Sequence, residues 1–230
     1  MPFVILAVLL IALIVGPGIW VQAVMQRHRT PADRYAKTGG ETARELLDSL
    51  ALQNVTAEQT DRGDHYDPIA KAVRLSPDNF NGRSLTAITV AAHEVGHALQ
   101  DARGFAPLRW RTRLVQWVSP IERIGAAMLL LSPLEALATR SRALSLLTFF
   151  GGFTILLSGV VVHLLTLPTE LDASFVRALP LVQKRRIVRS DDLADARRLL
   201  TAAAFTYVAA ALQSLLNIAR WWSILRRGVM

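Results

Sequence analysis

About five turns of helix around Ala92-His93-Glu94-Val95-Gly96-His97-Ala98 constrain this chain more than any other stretch. Residues 84–104 carry the marks of one helix: Ser84 can cap its start, Gly104 can end it, and no proline interrupts it. His93 and His97 are four residues apart, so a single helix face presents both imidazoles in line, close enough to share one metal ion. Glu94 follows directly and leans toward the edge of that face, where a metal-bound water would sit. Ile88, Ala92, Val95 and Leu99 form a separate apolar stripe that can pack inward. The bland alternative is an amphipathic helix with two unremarked histidines and a solvated Glu94. It gives no reason for the three residues to fall together on one capped helix.

What surrounds that helix is too apolar for an ordinary soluble domain. Of 230 residues, 52% are hydrophobic, and the mean hydropathy is positive. That is enough for one small domain plus several membrane spans. The chain has no cysteine, so disulfides are excluded and any zinc must be held by nitrogen and oxygen. The net charge of +8 is carried in blocks of Lys and Arg flanking apolar segments. No recognition helix or aromatic-basic motif accompanies it, so the charge indicates membrane topology and anionic lipid, not nucleic acid.

Residues 3–25 run without a formal charge, long enough to span a bilayer, and Arg27, Arg29 and Arg34 follow. A cleaved signal would carry its positive charges first, so a retained anchor with its N-terminus outside is expected. Residues 26–120 have the composition of a soluble domain. Within them, 41–53 read as an amphipathic helix, 55–61 as a strand, and 64–68 with 71–75 as a hairpin around a proline-containing turn. An edge strand there could align an extended peptide, or could be a plain surface hairpin. Apolar segments at 124–138, 145–167 and 199–219 complete the chain. Trp20, Trp110, Trp117, Trp221 and Trp222 lie within or beside such segments, as interfacial anchors would.

Two histidines leave a catalytic zinc short of a third protein ligand. Glu170, Asp172 and His163 are the candidates. Pro168-Thr169-Glu170-Leu171-Asp172-Ala173-Ser174 looks like the start of a new helix, with Pro168 in its first turn. Glu170 and Asp172 are about 200° apart on a helix, so they cannot both face one ion. His163 reads more simply as a polar contact between helices, with Pro168 interrupting the helix beyond it. Tyr66, Arg177 and Tyr207 are unranked candidates for donating a hydrogen bond to an oxyanion.

Several of these stretches together resemble a known family. Tyr66-Asp67-Pro68, Val73-Arg74-Leu75-Ser76, Gly82-Arg83-Ser84, the motif at 91–98, residues 167–174 and residues 203–212 are similar to the YugP-type neutral zinc metallopeptidases of bacterial membranes. The pattern is also related to that of the HtpX-like membrane gluzincins. The resemblance covers most of the chain after Ala36. It implies one zinc per chain, with His93, His97 and Glu170 as ligands and Glu94 as the catalytic acid/base. HtpX-like proteins usually place an Asp four residues after the ligand Glu; this chain has Ser174 there and Asp172 earlier, which leaves open what orients the histidines.

The expected fold is a mainly α integral membrane protein with a zincin-like α+β domain, a short hairpin and about four transmembrane helices. Its segments would be an anchor at 1–25, a zincin-like domain at 26–120 with its metal helix at 84–103, a transmembrane hairpin at 121–167, a segment at 168–198 bearing the third ligand, and a last span at 199–230. His97 and Glu170 must lie on one membrane side, so two crossings should separate them, with Glu135 facing protein or water. The alternative is a fold-back at Gly151-Gly152. Residues 26–120 hold 13 and residues 168–198 hold 7 of the 26 Lys and Arg, which puts the site on the cytoplasmic side of a bacterial plasma membrane. Arg140, Arg142, Arg226 and Arg227 run against that rule. The expected activity is hydrolysis of peptide or protein substrates, membrane proteins among them. Two rivals remain: an intramembrane protease of the site-2 type with Asp172 as ligand, and a non-catalytic interaction protein that keeps zinc for stability.

Overall fold

The structure is a computed structural model that describes the backbone of residues 2–139 and 141–229. The side chains of 2–10, of 213–229 and of scattered positions between 119 and 156 are left undescribed. The expectations placed on Glu135, Arg140, Arg142, Trp221, Trp222, Arg226 and Arg227 therefore lie outside the described residues. Chain contacts divide the protein into two units, Ile19–Arg109 with Leu167–Thr206, and Met1–Gly18 with Trp110–Thr166 and Tyr207–Met230.

The first unit contains the end of helix α1 (Pro2–Arg27) and a mixed α+β layer. Helix α2 (Gly39–Ser49) begins two residues before the expected start because Thr38 and Glu41 form a capping box, each side chain bonding the other's backbone N–H. Its face Ala43, Leu46 and Leu47 is buried. Strands β1 (Thr56–Gln59), β2 (His65–Asp67) and β3 (Ala72–Leu75) form a sheet in the order β1-β3-β2. The hairpin β2–β3 is antiparallel as expected, whereas β1 pairs parallel to β3. Asp67 Oδ1 shapes the turn by accepting from the Ile69 and Ala70 N–H groups, and Lys71 completes it in the left-handed region at φ +53°. A short helix, α3 (Pro77–Asn81), was not expected from periodicity; Asp64 ties it to the sheet through Ser76 and Asn79.

Helix α4 (Leu85–Ala102) runs where the sequence puts it. Ser84 caps it by accepting from the Ala87 N–H, and Gly104 at φ +64° takes the chain out of it. Every residue from Leu85 to Gln100 is buried. Ile88, Ala92 and Val95 join Leu46, Leu47, Val73 and Leu75 in one core, which Leu199 and Leu200 complete. The hairpin is pinned to the far end of α4 by the Tyr66 hydroxyl and the Lys71 ammonium, which both donate to Asp101.

The second unit is helical. It takes the outer part of α1, most of α5 (Ala106–Thr139) and α6 (Arg142–Leu171), and the later part of α8 (Leu193–Val229). Helix α6 passes unbroken through Gly151-Gly152, so the chain does not fold back there. The glycines serve packing: a Cβ on Gly152 would stand 2.7 Å from the Gly125 carbonyl oxygen of α5. Pro168 likewise lies inside α6 and starts no new helix. The helix continues into a π-helical stretch, Asp172–Ala178, and then α7 (Leu179–Lys184). Among the described residues one helical run, Leu146–Lys184, is long and apolar enough to cross a bilayer, and Ile11–Arg27 is a shorter apolar helix. Four crossing helices are more than this establishes.

One polar knot closes the first unit. Asp192 is buried and accepts from both Nε and Nη2 of Arg34 and from the Tyr35 hydroxyl. Hydrogen bonds from Arg34 hold its carboxyl below the usual carboxylate range, overcoming burial. A lowered carboxyl contributes stability that is fully present above the ordinary Asp value of about 3.8 and is lost as pH falls through the lowered value. Asp192→Asn should cost about 2 kcal/mol at pH 7, roughly 4–8 °C in midpoint for a chain of this size. Thermal unfolding in detergent should show that difference shrinking toward pH 3; a gap constant with pH would contradict it.

Candidate metal centre

A helix buried on all sides can carry polar side chains only if each finds a partner. On α4 those side chains include His93, Glu94, His97 and Gln100, exposed by 5%, 6%, 3% and 0%. For His93, His97 and Gln100, partners come from the stretch that follows the apolar part of α6. Glu170 is 1% exposed, and its Oε2 stands 3.2 Å from His93 Nε2 and 3.3 Å from His97 Nε2. The two rings meet edge to face, centroids 4.8 Å apart.

This segment lies against α4: Ala173, Ser174 and Arg177 of the π-helical stretch are buried, and Glu170, Ser174 and Arg177 each reach α4. The Ser174 hydroxyl donates to the Leu200 carbonyl at 3.0 Å and stands 3.1 Å from His93 Nδ1. Having given its one proton to Leu200, it accepts from Nδ1–H, which leaves Nε2 of His93 as the nitrogen that would bind a metal. His97 is backed in the same way by Gln100. The close approach depends on Gly96. A Cβ there would lie 2.7 Å from the Ala173 carbonyl oxygen, a contact that backbone cannot relieve without moving.

Two imidazole nitrogens and a carboxylate oxygen, all within 4.8 Å of one another and buried, form a group able to hold a metal ion. Zinc bonds to such atoms at about 2.0–2.2 Å, and tetrahedral angles then separate neighbouring donors by about 3.3 Å. The two Nε2–Oε2 distances already have that length. Those two separations, and a donor set of two imidazole nitrogens and one carboxylate oxygen, fit zinc.

Other sequence candidates fall elsewhere. Asp172 accepts from Gln100 and from Arg177, and belongs to no metal-capable group among the described residues. His163 lies in the helical unit beside Tyr207, their ring centroids 6.1 Å apart. Tyr66 is occupied with Asp101, its hydroxyl raised well above the ordinary tyrosine value first by burial and then by that carboxylate. Arg177 is occupied with Asp172 and Leu99, and Tyr207 with Arg111. Gln100 escaped the sequence reading, although its spacing three residues after His97 puts it on the same face.

Fold and centre together define a mainly helical protein in which a buried His-His-Glu group able to hold a metal ion lies beside a small sheet. The family model described as "Putative neutral zinc metallopeptidase" matches residues 3–226, and the chain belongs to that family. It is 38% identical over 196 residues to the "Putative membrane protease YugP" of Bacillus subtilis, covering 84% of this chain and 82% of that protein. No solved structure matches.

Gly96→Ala provides a test of the close approach. The change favours helix in isolation, yet it should overpack the α4–π-helix contact at a cost of about 1–3 kcal/mol. Circular dichroism should show unchanged helix content while bound zinc, measured by atomic absorption after dialysis, falls. Full zinc retention would show that the contact can relax.

Proposed function

We propose that this chain is a zinc-dependent membrane endopeptidase of the gluzincin type that hydrolyses peptide bonds with Glu94 as general base. The observation that carries the reading is the Glu170 carboxylate meeting both Nε2 atoms of a His-Glu-x-x-His helix. His93, His97 and Glu170 would hold one zinc ion per chain. Zinc, when bound, supplies a Lewis acid that polarises the scissile carbonyl and lowers the pKa of a coordinated water to about 7. Glu94, buried on α4 next to His93, takes the proton from water as its oxygen bonds to the carbonyl carbon. Glu94 then hands that proton to the amide nitrogen as the carbon–nitrogen bond breaks. Ser174 and Gln100 keep both imidazoles turned toward the metal throughout.

The general base also separates this reading from a zinc site kept for stability alone, which needs no such group. Asp172 as ligand, the site-2 arrangement, is disfavoured because its carboxylate is committed to Gln100 and Arg177.

The membrane reading extends to four crossing helices, α1, α5, α6 and α8. Along α6, Leu147, Phe150, Val161, Leu164 and Leu165 face outward, 49% to 71% exposed, a surface that suits lipid and not water. The excess of Lys and Arg in residues 26–120 and 168–198 supports a cytoplasmic site, with peptide or membrane-protein substrates reaching it from that side.

Two measurements check this. In purified protein Glu94→Gln should keep its zinc and lose about 10²–10⁴-fold in peptide hydrolysis, whereas Glu170→Ala should lose zinc itself; undiminished turnover in Glu94→Gln would remove that residue from the mechanism. Because the chain has no cysteine, Asp61→Cys reports topology directly. An impermeant maleimide should label it in inside-out vesicles and not in intact cells, and the reverse would overturn the orientation.

A further inference from the structure

The ring of His97 is held from behind by a side chain whose own orientation is forced. His97 Nδ1 stands 2.9 Å from Gln100 Oε1. A glutamine amide can be turned either way, and only its neighbours decide which end faces the ring. Gln100 Nε2 stands 2.8 Å from the Thr169 carbonyl oxygen and 2.7 Å from Asp172 Oδ2. A carbonyl and a carboxylate only accept, so both amide hydrogens are spent on them and the amide oxygen must face His97. That oxygen can only accept as well. Nδ1 of His97 therefore carries a proton, which leaves Nε2, the nitrogen 3.3 Å from Glu170, as the one that would bind a metal.

The base of this chain is anchored in turn. Arg177 Nε donates to Asp172 Oδ2 at 2.6 Å, its Nη1 donates to the Leu99 carbonyl at 3.4 Å, and its guanidinium lies 5.3 Å from the Phe105 ring centroid. Gln100 is fully buried, so water does not compete for the amide. His93 has no such chain behind it; its proton goes to Ser174, which is fixed by backbone alone.

We propose that Asp172 and Gln100 form a positioning relay that fixes the tautomer and ring plane of His97, and through them the affinity and geometry of metal binding. The proposal rests on the reading of His93, His97 and Glu170 as a metal centre. Asp172 touches neither metal nor substrate; it acts by deciding which way Gln100 points.

The test compares Gln100→Leu, Gln100→Glu and the double variant Gln100→Glu/Asp172→Asn with wild type, all as full-length protein in detergent. Zinc affinity is read by competition with a chromogenic chelator, and geometry by the visible absorption of the cobalt-substituted protein. Gln100→Leu keeps the volume but removes the acceptor, and should weaken zinc binding about 10–100-fold and shift the cobalt spectrum. Gln100→Glu sets two carboxylates against each other and should also weaken it. The double variant restores the 100–172 bond with donor and acceptor reversed, leaving only the Thr169 carbonyl without its donor, and should recover part of that loss, which a merely structural role would not do. Independently, nitrogen NMR of histidine-labelled, metal-free wild type should find His97 protonated on Nδ1, a readout that survives if a variant fails to fold. A His97 Nδ1 that carries no proton would overturn the proposal. A wild-type chain that binds neither metal would sink the metal-centre reading and this proposal with it. A wild-type chain that binds both, with Gln100→Leu binding them equally well, would sink this proposal alone.

Discussion

Everything in the first unit is arranged so that one carboxylate, Glu170, can meet two imidazoles from a helix it reaches 73 to 77 residues later in the chain. Bringing those groups together inside protein is costly unless each polar atom is paired. The structure meets that cost with backbone as much as with side chains. The π-helical segment after Glu170 packs on α4, a glycine lets the two backbones touch, and the Leu200 carbonyl on α8 accepts the Ser174 hydroxyl. The metal group is thus the meeting point of three helices, α4, α6 with its π extension, and α8.

The rest of the α+β unit stiffens α4 from other sides. Leu46 and Leu47 of α2 and Val73 and Leu75 of β3 share its core, while Tyr66 and Lys71 bind Asp101, one turn beyond His97. Arg34, Tyr35 and Asp192 join the segment after α1 to the segment before α8. These contacts restrict how far the histidine helix can shift without breaking a buried polar bond. That rigidity suits a centre whose donors must stay within a few tenths of an ångström of their bonding positions.

The membrane part of the proposed function rests on exposure along α6. Leu147, Phe150, Leu164 and Leu165 point outward there, a surface that suits a bilayer better than water. Within that unit the small residues Gly125 and Gly152 take up the close helix contact, a packing solution typical where the hydrophobic effect offers no drive between helices.

Much of this was legible in the residues. Ser84, Gly104 and the unbroken apolar spacing between them determine α4 to within a residue, because caps and periodicity are local. The Asp67-Pro68 turn between two extended runs determines the hairpin for the same reason. Glu170 over Asp172 came from resemblance, since helical spacing alone only forbade both. What local pattern could not give is whatever depends on a partner far away in sequence. Pro168 and Gly151-Gly152 look like helix breakers, but packing keeps α6 continuous through both. The parallel pairing of β1 with β3, the π-helix, and the line from Asp172 through Gln100 to His97 exist only because tertiary contacts offer each buried group one remaining partner. The sequence alone thus determined which helix carries the histidines, and tertiary structure decided which acid faces them and which way each ring is turned.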